Sequence, residues 1–235
     1  MKLGKSDHAN EIYRNATRLL ESSSSGSNLR DGLHLLKKAA SCGNLDAICD
    51  LGYHYYEGEG VAKDVNKAFL LYKKAAERGL VHAMYHLALC YAAGDGVQAS
   101  LKQAFIWNYV AAEEGHTLSQ VNVAHAYQTG RGCNPDFEKA FRWFRKAALK
   151  GDMIAQREVG IAYNEGIGVG QNLRHSVRWF RKAAQSGDDC AQYLLGLSLL
   201  GGKGTKVNIH EAVRWLSSAA ESGVSEAKNI LFHAP

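Results

Sequence analysis

The chain has 235 residues, of which 46% are hydrophobic and 22% are charged, and its formal net charge at pH 7 is +5. This balance predicts a folded globular protein with a sizeable core and excludes an intrinsically disordered chain. The 28 basic and 23 acidic residues are interspersed, so no nucleic-acid partner is predicted. The longest apolar run is far shorter than the roughly 20 residues of a membrane-spanning helix, so no membrane span is predicted.

The five cysteines are an odd number at irregular spacings: Cys42, Cys49, Cys90, Cys133 and Cys190. They give neither a disulfide framework nor a CxxC metal pair. Scattered single cysteines are typical of a reducing compartment. The first eight residues are not followed by the apolar segment of a secretory signal. The sequence therefore predicts a cytoplasmic location.

A period of 36 residues runs through the chain. The dipeptide Ala-Ala begins at positions 39, 75, 111, 147, 183 and 219, and a glycine follows the second alanine after three residues each time. A Gly-x-Gly triplet begins at positions 58, 94, 130, 166 and 202. Three features that keep one register indicate a repeat protein in which each period is one structural unit.

Each period predicts two helices, which we call the first and the second helix of a hairpin. In chain order, residues 9–21 are in phase as a first helix and residues 21–27 predict a polar loop. Residues 45–79 form the type unit, in which Ala47, Leu51, Gly52 and Tyr55 mark one apolar stripe. A small residue at the position of Gly52, such as Gly160 three repeats later, predicts close packing of a neighbouring helix.

Glycines and capping residues mark the helix ends. The first helix should end at the Gly-x-Gly, because glycine tolerates the left-handed conformation of a helix C-terminus. The second helix should begin after one N-cap register, whose side chains accept hydrogen bonds from free backbone N–H groups. That register contains Asn28, Asp64, Ser100, Asp136, Asn172 and Asn208. At the end of the chain, residues 225–232 predict a single capping helix.

The pattern L-G-x-x-Y, G-x-G-V, Asn or Asp, K-A, W-[YF]-x-K-A-A and a closing glycine resembles the Sel-1-like repeat family, and residues 46–79 match it nearly throughout. The resemblance implies an all-α, right-handed α-α superhelix of about six 36-residue hairpins with a C-terminal capping helix. It implies one solenoid over residues 1–235, with a degenerate hairpin at 1–43, regular repeats at 44–223 and the capping helix at 224–235. Family members mostly act as adaptors or scaffolds.

One branch of the family is cysteine-rich, secreted and associated with β-lactam binding. That branch places a cysteine in each Ala-Ala position and another cysteine eight residues later. Ala76 and Met84 occupy those two places in this sequence. The resemblance therefore does not extend that activity to this chain.

No catalytic motif is recognisable, so the sequence predicts no enzyme and no cofactor. The Gly-x-Gly triplets lack the preceding strand of a dinucleotide-binding fingerprint. Cys90 is the best-placed candidate nucleophile, but its position in the repeat favours a buried thiol. His82 and His86 project from one face of a helix, as metal ligands do. A metal-dependent or hydrolytic enzyme that uses this pair is one alternative function.

The second helices carry a basic stripe in the middle repeats: Arg142, Arg145, Lys146, Arg178, Arg181 and Lys182. The main interpretation of this stripe is a solvated convex face. An anionic partner, either a membrane or a nucleic acid, is the alternative.

In a superhelix of this family the first helices line the concave side, and their positions that are not used for packing vary here from repeat to repeat. Aromatic and hydrogen-bonding side chains at such positions are typical of protein interfaces. The candidate partner-binding residues are Asp50, Tyr53, Tyr56, Tyr85, His86, Leu89, Asn122, His125, Arg157, Glu158, Tyr193 and Leu197. Packing between repeats is the alternative role for several of these aromatic side chains. An apolar patch of Tyr193, Leu194, Leu197 and Leu200 is also predicted near the C-terminus.

The sequence thus predicts an adaptor or scaffold that binds a protein or peptide on its concave surface. Besides the enzyme that would use His82 and His86, a structural spacer within a larger assembly is the second alternative. Bound metal would favour the enzyme. Convex-face substitutions that abolish assembly, together with silent groove substitutions, would favour the spacer.

Overall fold

The computed structural model describes residues 5–22 and 26–233, and every regular element within them is an α-helix. The prediction of an all-α chain is therefore confirmed for this part of the sequence. The helices divide between two compact units, Met1–His116 and Thr117–Pro235. We call these the N-terminal unit and the C-terminal unit. The predicted division at residues 43 and 223 within one solenoid stays a prediction.

The N-terminal unit consists of three hairpins. Their helices are α1 (Lys5–Glu21) with α2 (Gly26–Ser41), α3 (Leu45–Glu57) with α4 (Val65–Ala76), and α5 (Val81–Ala93) with α6 (Leu101–Glu113). Within the unit each second helix also packs against the first helix of the following hairpin.

The C-terminal unit consists of three further hairpins and one more helix. Its helices are α7 (Thr117–Thr129) with α8 (Phe137–Leu149), α9 (Met153–Glu165) with α10 (Leu173–Gln185), α11 (Asp189–Gly201) with α12 (Ile209–Glu221), and α13 (Ser225–His233). Helix α13 packs on α12 and corresponds to the predicted capping helix. Its buried Ala227 lies in a small core with Leu216 of α12.

The two glycines of each Gly-x-Gly have different roles. The first one ends the helix as predicted: Gly58 has φ 83°, and its N–H donates to the carbonyl of His54. The second one allows two hairpins to approach closely. A Cβ on Gly168 would lie 2.1 Å from the carbonyl oxygen of Phe137, and a Cβ on Gly204 would lie 2.2 Å from that of Leu173. These glycines therefore pack on the first residue of the preceding hairpin's second helix.

The predicted N-caps of five second helices are confirmed. The side chain of Asp64, for example, accepts a hydrogen bond from the backbone N–H of Lys67 at 2.9 Å, and the backbone N–H of Asp64 donates to the carbonyl of Tyr55 at 2.8 Å. The other four capping side chains are Ser100, Asp136, Asn172 and Asn208. This pair of bonds closes each inter-helix loop and fixes the start of the second helix.

The predicted N-cap at Asn28 is wrong. Helix α2 begins at Gly26, so Asn28 lies inside its first turn. Its side-chain amide instead donates to the carbonyl of Ser22, at 3.4 Å, just after α1. The polar loop predicted over residues 21–27 therefore ends before Gly26, where α2 begins. Residues 23–25 lie outside the described part of the chain.

The core consists of the alanine and aliphatic stripes that the period predicts. In the N-terminal unit Ala47, Ala68, Ala75 and Leu87 are buried in one cluster. The close helix packing expected at the small first-helix residues is also present. A Cβ on Gly52 would lie 2.9 Å from Tyr72, and a Cβ on Gly160 would lie 2.5 Å from Phe180.

Candidate functional site

The candidate residues of the N-terminal unit lie on α3 and α5, the first helices of its second and third hairpins. Tyr53 and Leu89 occupy the same position of consecutive repeats, and they are 43% and 41% exposed. Tyr56, Tyr85 and His86 are partly buried beside them. We call the surface formed by these five side chains the first-helix face.

Asp50 on α3 is a further candidate residue, and it makes a contact within the fold. Its Oδ2 accepts a hydrogen bond from the hydroxyl of Tyr13 on α1 at 2.8 Å. Burial raises the pKa of Asp50 above its usual value, and this effect outweighs the hydrogen bond from Tyr13, which lowers it. The carboxylate therefore ties two hairpins together, while its charge is unfavourable in the folded state.

Asp50→Asn should raise the stability of the protein at pH 7. The amide oxygen still accepts from Tyr13, while the buried charge disappears. Because the folded-state pKa is raised, the contribution of Asp50 to stability is greatest at low pH and is lost as the pH rises. The gain from Asp50→Asn should therefore shrink as the pH falls towards 4, as measured by urea denaturation at several pH values. Asp31→Asn, at an exposed position of α2, is the control, and a loss of stability at pH 7 in Asp50→Asn would contradict this account.

Tyr56 also bridges two hairpins. Its hydroxyl donates to Oδ2 of Asp95 at 2.9 Å, and Asp95 lies in the loop after α5. The Nζ of Lys63 lies 5.5 Å from the centre of the Tyr56 ring. The side chain of Tyr56 is thus held in place by contacts within the protein, while part of its surface remains accessible to solvent.

Histidines and tyrosines cluster on α5. The Nε2 atoms of His82 and His86 lie 3.1 Å apart within hydrogen-bonding distance. The ring of His86 stacks on buried Tyr72, with centroids 4.8 Å apart and planes 12° apart. Tyr85 packs against His116 with ring centroids 4.8 Å apart. Burial, and then the charges of His82 and His116, lower the pKa of His86 to about 4, so His86 is neutral at pH 7.

Within residues 5–22 and 26–233, no group of three or more His, Cys, Asp or Glu side chains is arranged to hold a metal ion. Cys90 is buried, and burial raises the pKa of its thiol to about 11. The nucleophilic form of a cysteine is the thiolate. Cys90 is therefore protonated at neutral pH, which agrees with the buried thiol that its position in the repeat favours.

Several candidate residues of the C-terminal unit also make contacts within the fold. The Nδ1 of His125 lies 3.3 Å from Oε1 of Gln128, and its ring packs edge-on against Phe144. Asn122 of the same helix is partly buried. Tyr193 packs against the small core beneath α13, and Leu197 is partly buried.

Arg157 belongs to an ion-pair network that links two hairpins. Its Nη1 lies 2.5 Å from Oδ2 of Asp188, and its Nη2 lies 3.2 Å from Oε1 of Glu158. Asp188 is buried and is at the same time the N-cap of α11, because its Oδ1 accepts from the N–H of Ala191 at 2.7 Å. This cap was not predicted from the sequence. The signal was available, since Asn44, Asp152 and Asp188 occupy one register before the first helices.

The predicted C-terminal apolar patch is partly covered. Tyr193 and Leu200 pack against the core that α12 and α13 form around Leu216 and Ala227. Leu194 packs on the neighbouring core of α10 to α12. The capping helix therefore shields part of these side chains.

The basic stripe consists largely of exposed side chains on α8 and α10. Lys146 and Lys182 place their ammonium groups 3.8 and 4.5 Å from the ring centres of Trp143 and Trp179. Arg181 forms an ion pair with Glu211 of α12. Several of these cations thus have partners within the fold, and the solvated-face interpretation stays a prediction.

Two-helix hairpins that repeat every 36 residues and end in glycine caps define a helical-repeat protein of the solenoid class. The chain belongs to the Sel1 repeat family: the Sel1 repeat profile matches residues 21–44, 45–80, 81–116, 117–152, 154–188 and 191–224. The predicted fold class, an all-α superhelix with six repeats and a C-terminal helix, is thereby confirmed. Sel1 repeat proteins are generally non-enzymatic scaffolds for protein–protein interaction.

Solved structures of Sel1 repeat proteins resemble this chain over most of its length. One is c5321, a protective antigen present in uropathogenic Escherichia coli strains, with 32% identity, a TM-score of 0.89 and coverage of 94% of this chain and 47% of its own. This chain therefore spans about half the length of c5321. Another is a Sel1 repeat protein from Oxalobacter formigenes, with 30% identity, a TM-score of 0.81 and coverage of 92% and 86%.

The immunity protein PA5088 from Pseudomonas aeruginosa shares the fold alone, at 20% identity and a TM-score of 0.53 over 94% of this chain and 86% of its own. A comparison with curated protein sequences finds no match. Among the helices of the described residues, none combines the length and the apolarity that crossing a bilayer requires.

Proposed function

We propose that this chain is a non-enzymatic adaptor that binds a protein or peptide on the first-helix face of its N-terminal unit, the side that the sequence analysis predicts to be concave. The observation that carries the proposal is the pair Tyr53 and Leu89, two large exposed side chains at one position of consecutive repeats. Their equivalence along the chain gives a partner two similar anchors. A cytoplasmic location is part of the proposal, on the evidence of the scattered cysteines.

The side chains around these anchors favour a protein partner. Tyr56, Tyr85 and His86 are held by hydrogen bonds or ring contacts of the fold, so a partner that touches them orders few new rotamers. Aromatic side chains that are already rigid supply contact area at low entropic cost. An extended face on neighbouring helices also suits a peptide or a domain better than a small molecule, which needs a closed pocket.

The candidate residues of the C-terminal unit have a weaker case. Arg157 and Glu158 are paired with each other, and Arg157 is also paired with Asp188, so a partner would have to compete with those ion pairs. Asn122, His125, Tyr193 and Leu197 stay predictions. The proposed binding surface is therefore the first-helix face of the N-terminal unit.

The double variant Tyr53→Ala/Leu89→Ala should lose at least tenfold in partner affinity, because two interface anchors of this kind each contribute about 1 kcal/mol or more. The experiment is affinity capture from native lysate with mass spectrometry, followed by titration of the captured partner. Both positions are exposed, so the fold should persist, as circular dichroism can check.

The matched control is Leu70→Ala/Ile106→Ala. These side chains are 62% and 40% exposed on α4 and α6, the second helices of the same two hairpins. The control should keep every partner. Loss of the partner in the control variant alone would place the binding surface on the second helices, and full affinity in both variants would favour the structural-spacer alternative.

A further inference from the structure

Helix α5 carries a pair of histidines, His82 and His86, of which His86 also belongs to the first-helix face. The two side chains stand one helical turn apart, and their Nε2 atoms face each other at 3.1 Å. Zinc binds imidazole nitrogen at about 2.0–2.1 Å in a tetrahedral site, which places two bound nitrogens about 3.3–3.4 Å apart. A zinc ion in place of the shared proton therefore requires a movement of only about 0.2–0.3 Å.

The rings are also positioned before any ion arrives. His86 stacks on Tyr72, which is 2% exposed, so the orientation of its ring is set by the core. The ring of His82 lies within 5.8 Å of His116 and 6.5 Å of Tyr85, measured between centroids. Ligands that the fold already orients bind an ion with little loss of side-chain freedom.

The site is open on one side. His82 is exposed, while His86 is partly buried. Two imidazoles supply half of a tetrahedral coordination sphere, and water supplies the remaining positions at an exposed site. No third His, Cys, Asp or Glu of the described residues completes a cage.

We propose that His82 and His86 form a two-histidine binding site for a zinc-class transition-metal ion, with both Nε2 atoms as ligands and water in the open positions. Imidazole suits Zn²⁺ and its neighbours in the first transition series. The assignment concerns ion binding, with no catalytic step attached to it. It does not depend on the adaptor function, because the two Nε2 atoms face each other in the chain without any partner.

The test is calorimetric titration of the full chain with Zn²⁺ at pH 7.5, together with the melting temperature with and without Zn²⁺. We expect one equivalent of Zn²⁺ to bind and to raise the melting temperature. His82→Asn should weaken binding at least tenfold, since even the residues that only orient a metal ligand typically contribute 10–100-fold to affinity. His82 is exposed, so His82→Asn should fold normally, and His86→Gln provides the second ligand variant.

Two controls separate this site from adventitious binding. His210→Asn removes a lone exposed histidine of α12, and Cys42→Ser/Cys190→Ser removes the two exposed thiols. Both controls should bind Zn²⁺ as the wild type does. Unchanged affinity in His82→Asn, loss of binding in the cysteine variant, or no measurable Zn²⁺ binding by the wild type would each overturn the assignment.

Discussion

Gly160→Leu should destabilise the protein by about 3 kcal/mol, the upper part of the usual range for overpacking a core. A Cβ at this position would lie 2.5 Å from Cδ1 and 2.6 Å from Cε1 of Phe180. Phe180 is 2% exposed on α10, so its ring cannot swing aside into solvent without leaving the core. The helices α9 and α10 must therefore separate, and the contacts around them are lost.

Urea denaturation of the full chain measures this loss of stability. Gly160→Ala is the smaller substitution at the same position. Alanine gains about 1 kcal/mol of helix propensity over glycine, which offsets part of the clash, so Gly160→Ala should be milder than Gly160→Leu. Gly170→Leu is the control, because a Cβ there meets nothing within 4 Å and its φ is not left-handed. A denaturation midpoint of Gly160→Leu equal to that of the control would show that the two helices are not packed this closely.

The second large effect should follow removal of Asp188, whose carboxylate has two roles. Asp188→Ala removes the N-cap of α11, which contributes about 1 kcal/mol, and leaves Arg157 without its closest anion. Removing one partner of a largely buried ion pair is destabilising because the remaining charge loses compensation, and here Glu158 still supplies part of it at 3.2 Å. We expect a total loss of about 2–4 kcal/mol.

Two companion variants divide this loss between its causes. Asp188→Asn keeps an oxygen that can accept the capping bond but removes the charge, so it should be milder than Asp188→Ala. Asp152→Ala removes the equivalent cap of α9 and should cost about 1 kcal/mol. A double-mutant cycle with Arg157→Ala and Asp188→Asn should give a coupling energy of about 1 kcal/mol or more. A coupling energy near zero would show that the ion pair adds nothing to stability.

The period of 36 residues was enough to predict the helices, because it repeats the residues that local structure requires. Asp64 and Asp136 cap second helices, and Gly58 ends a first helix. Gly52 leaves room for the ring of Tyr72. Each of these requirements is met within one repeat. The exception was Asn28, where the repeat is degenerate and α2 starts three residues earlier than the register predicts.

The contacts of the candidate residues were not predictable in the same way. The partners of Arg157 and Asp50 lie in neighbouring hairpins, at Asp188 and Tyr13, and these pairs do not recur at equivalent positions along the chain. A variable position therefore serves either an outside partner or an internal contact, and the sequence pattern is the same in both cases. Exposure, which only the structure provides, separates Tyr53 from Asp50.

Site-specific photo-crosslinking shows directly whether a protein partner contacts the first-helix face. A photoreactive benzoylphenylalanine replaces Tyr53 in one variant and Leu70 in another, and both are irradiated in native lysate. We expect a crosslinked partner from position 53 and none from position 70. A partner that crosslinks only from position 70 would contradict this expectation and would place the binding surface on the second helices.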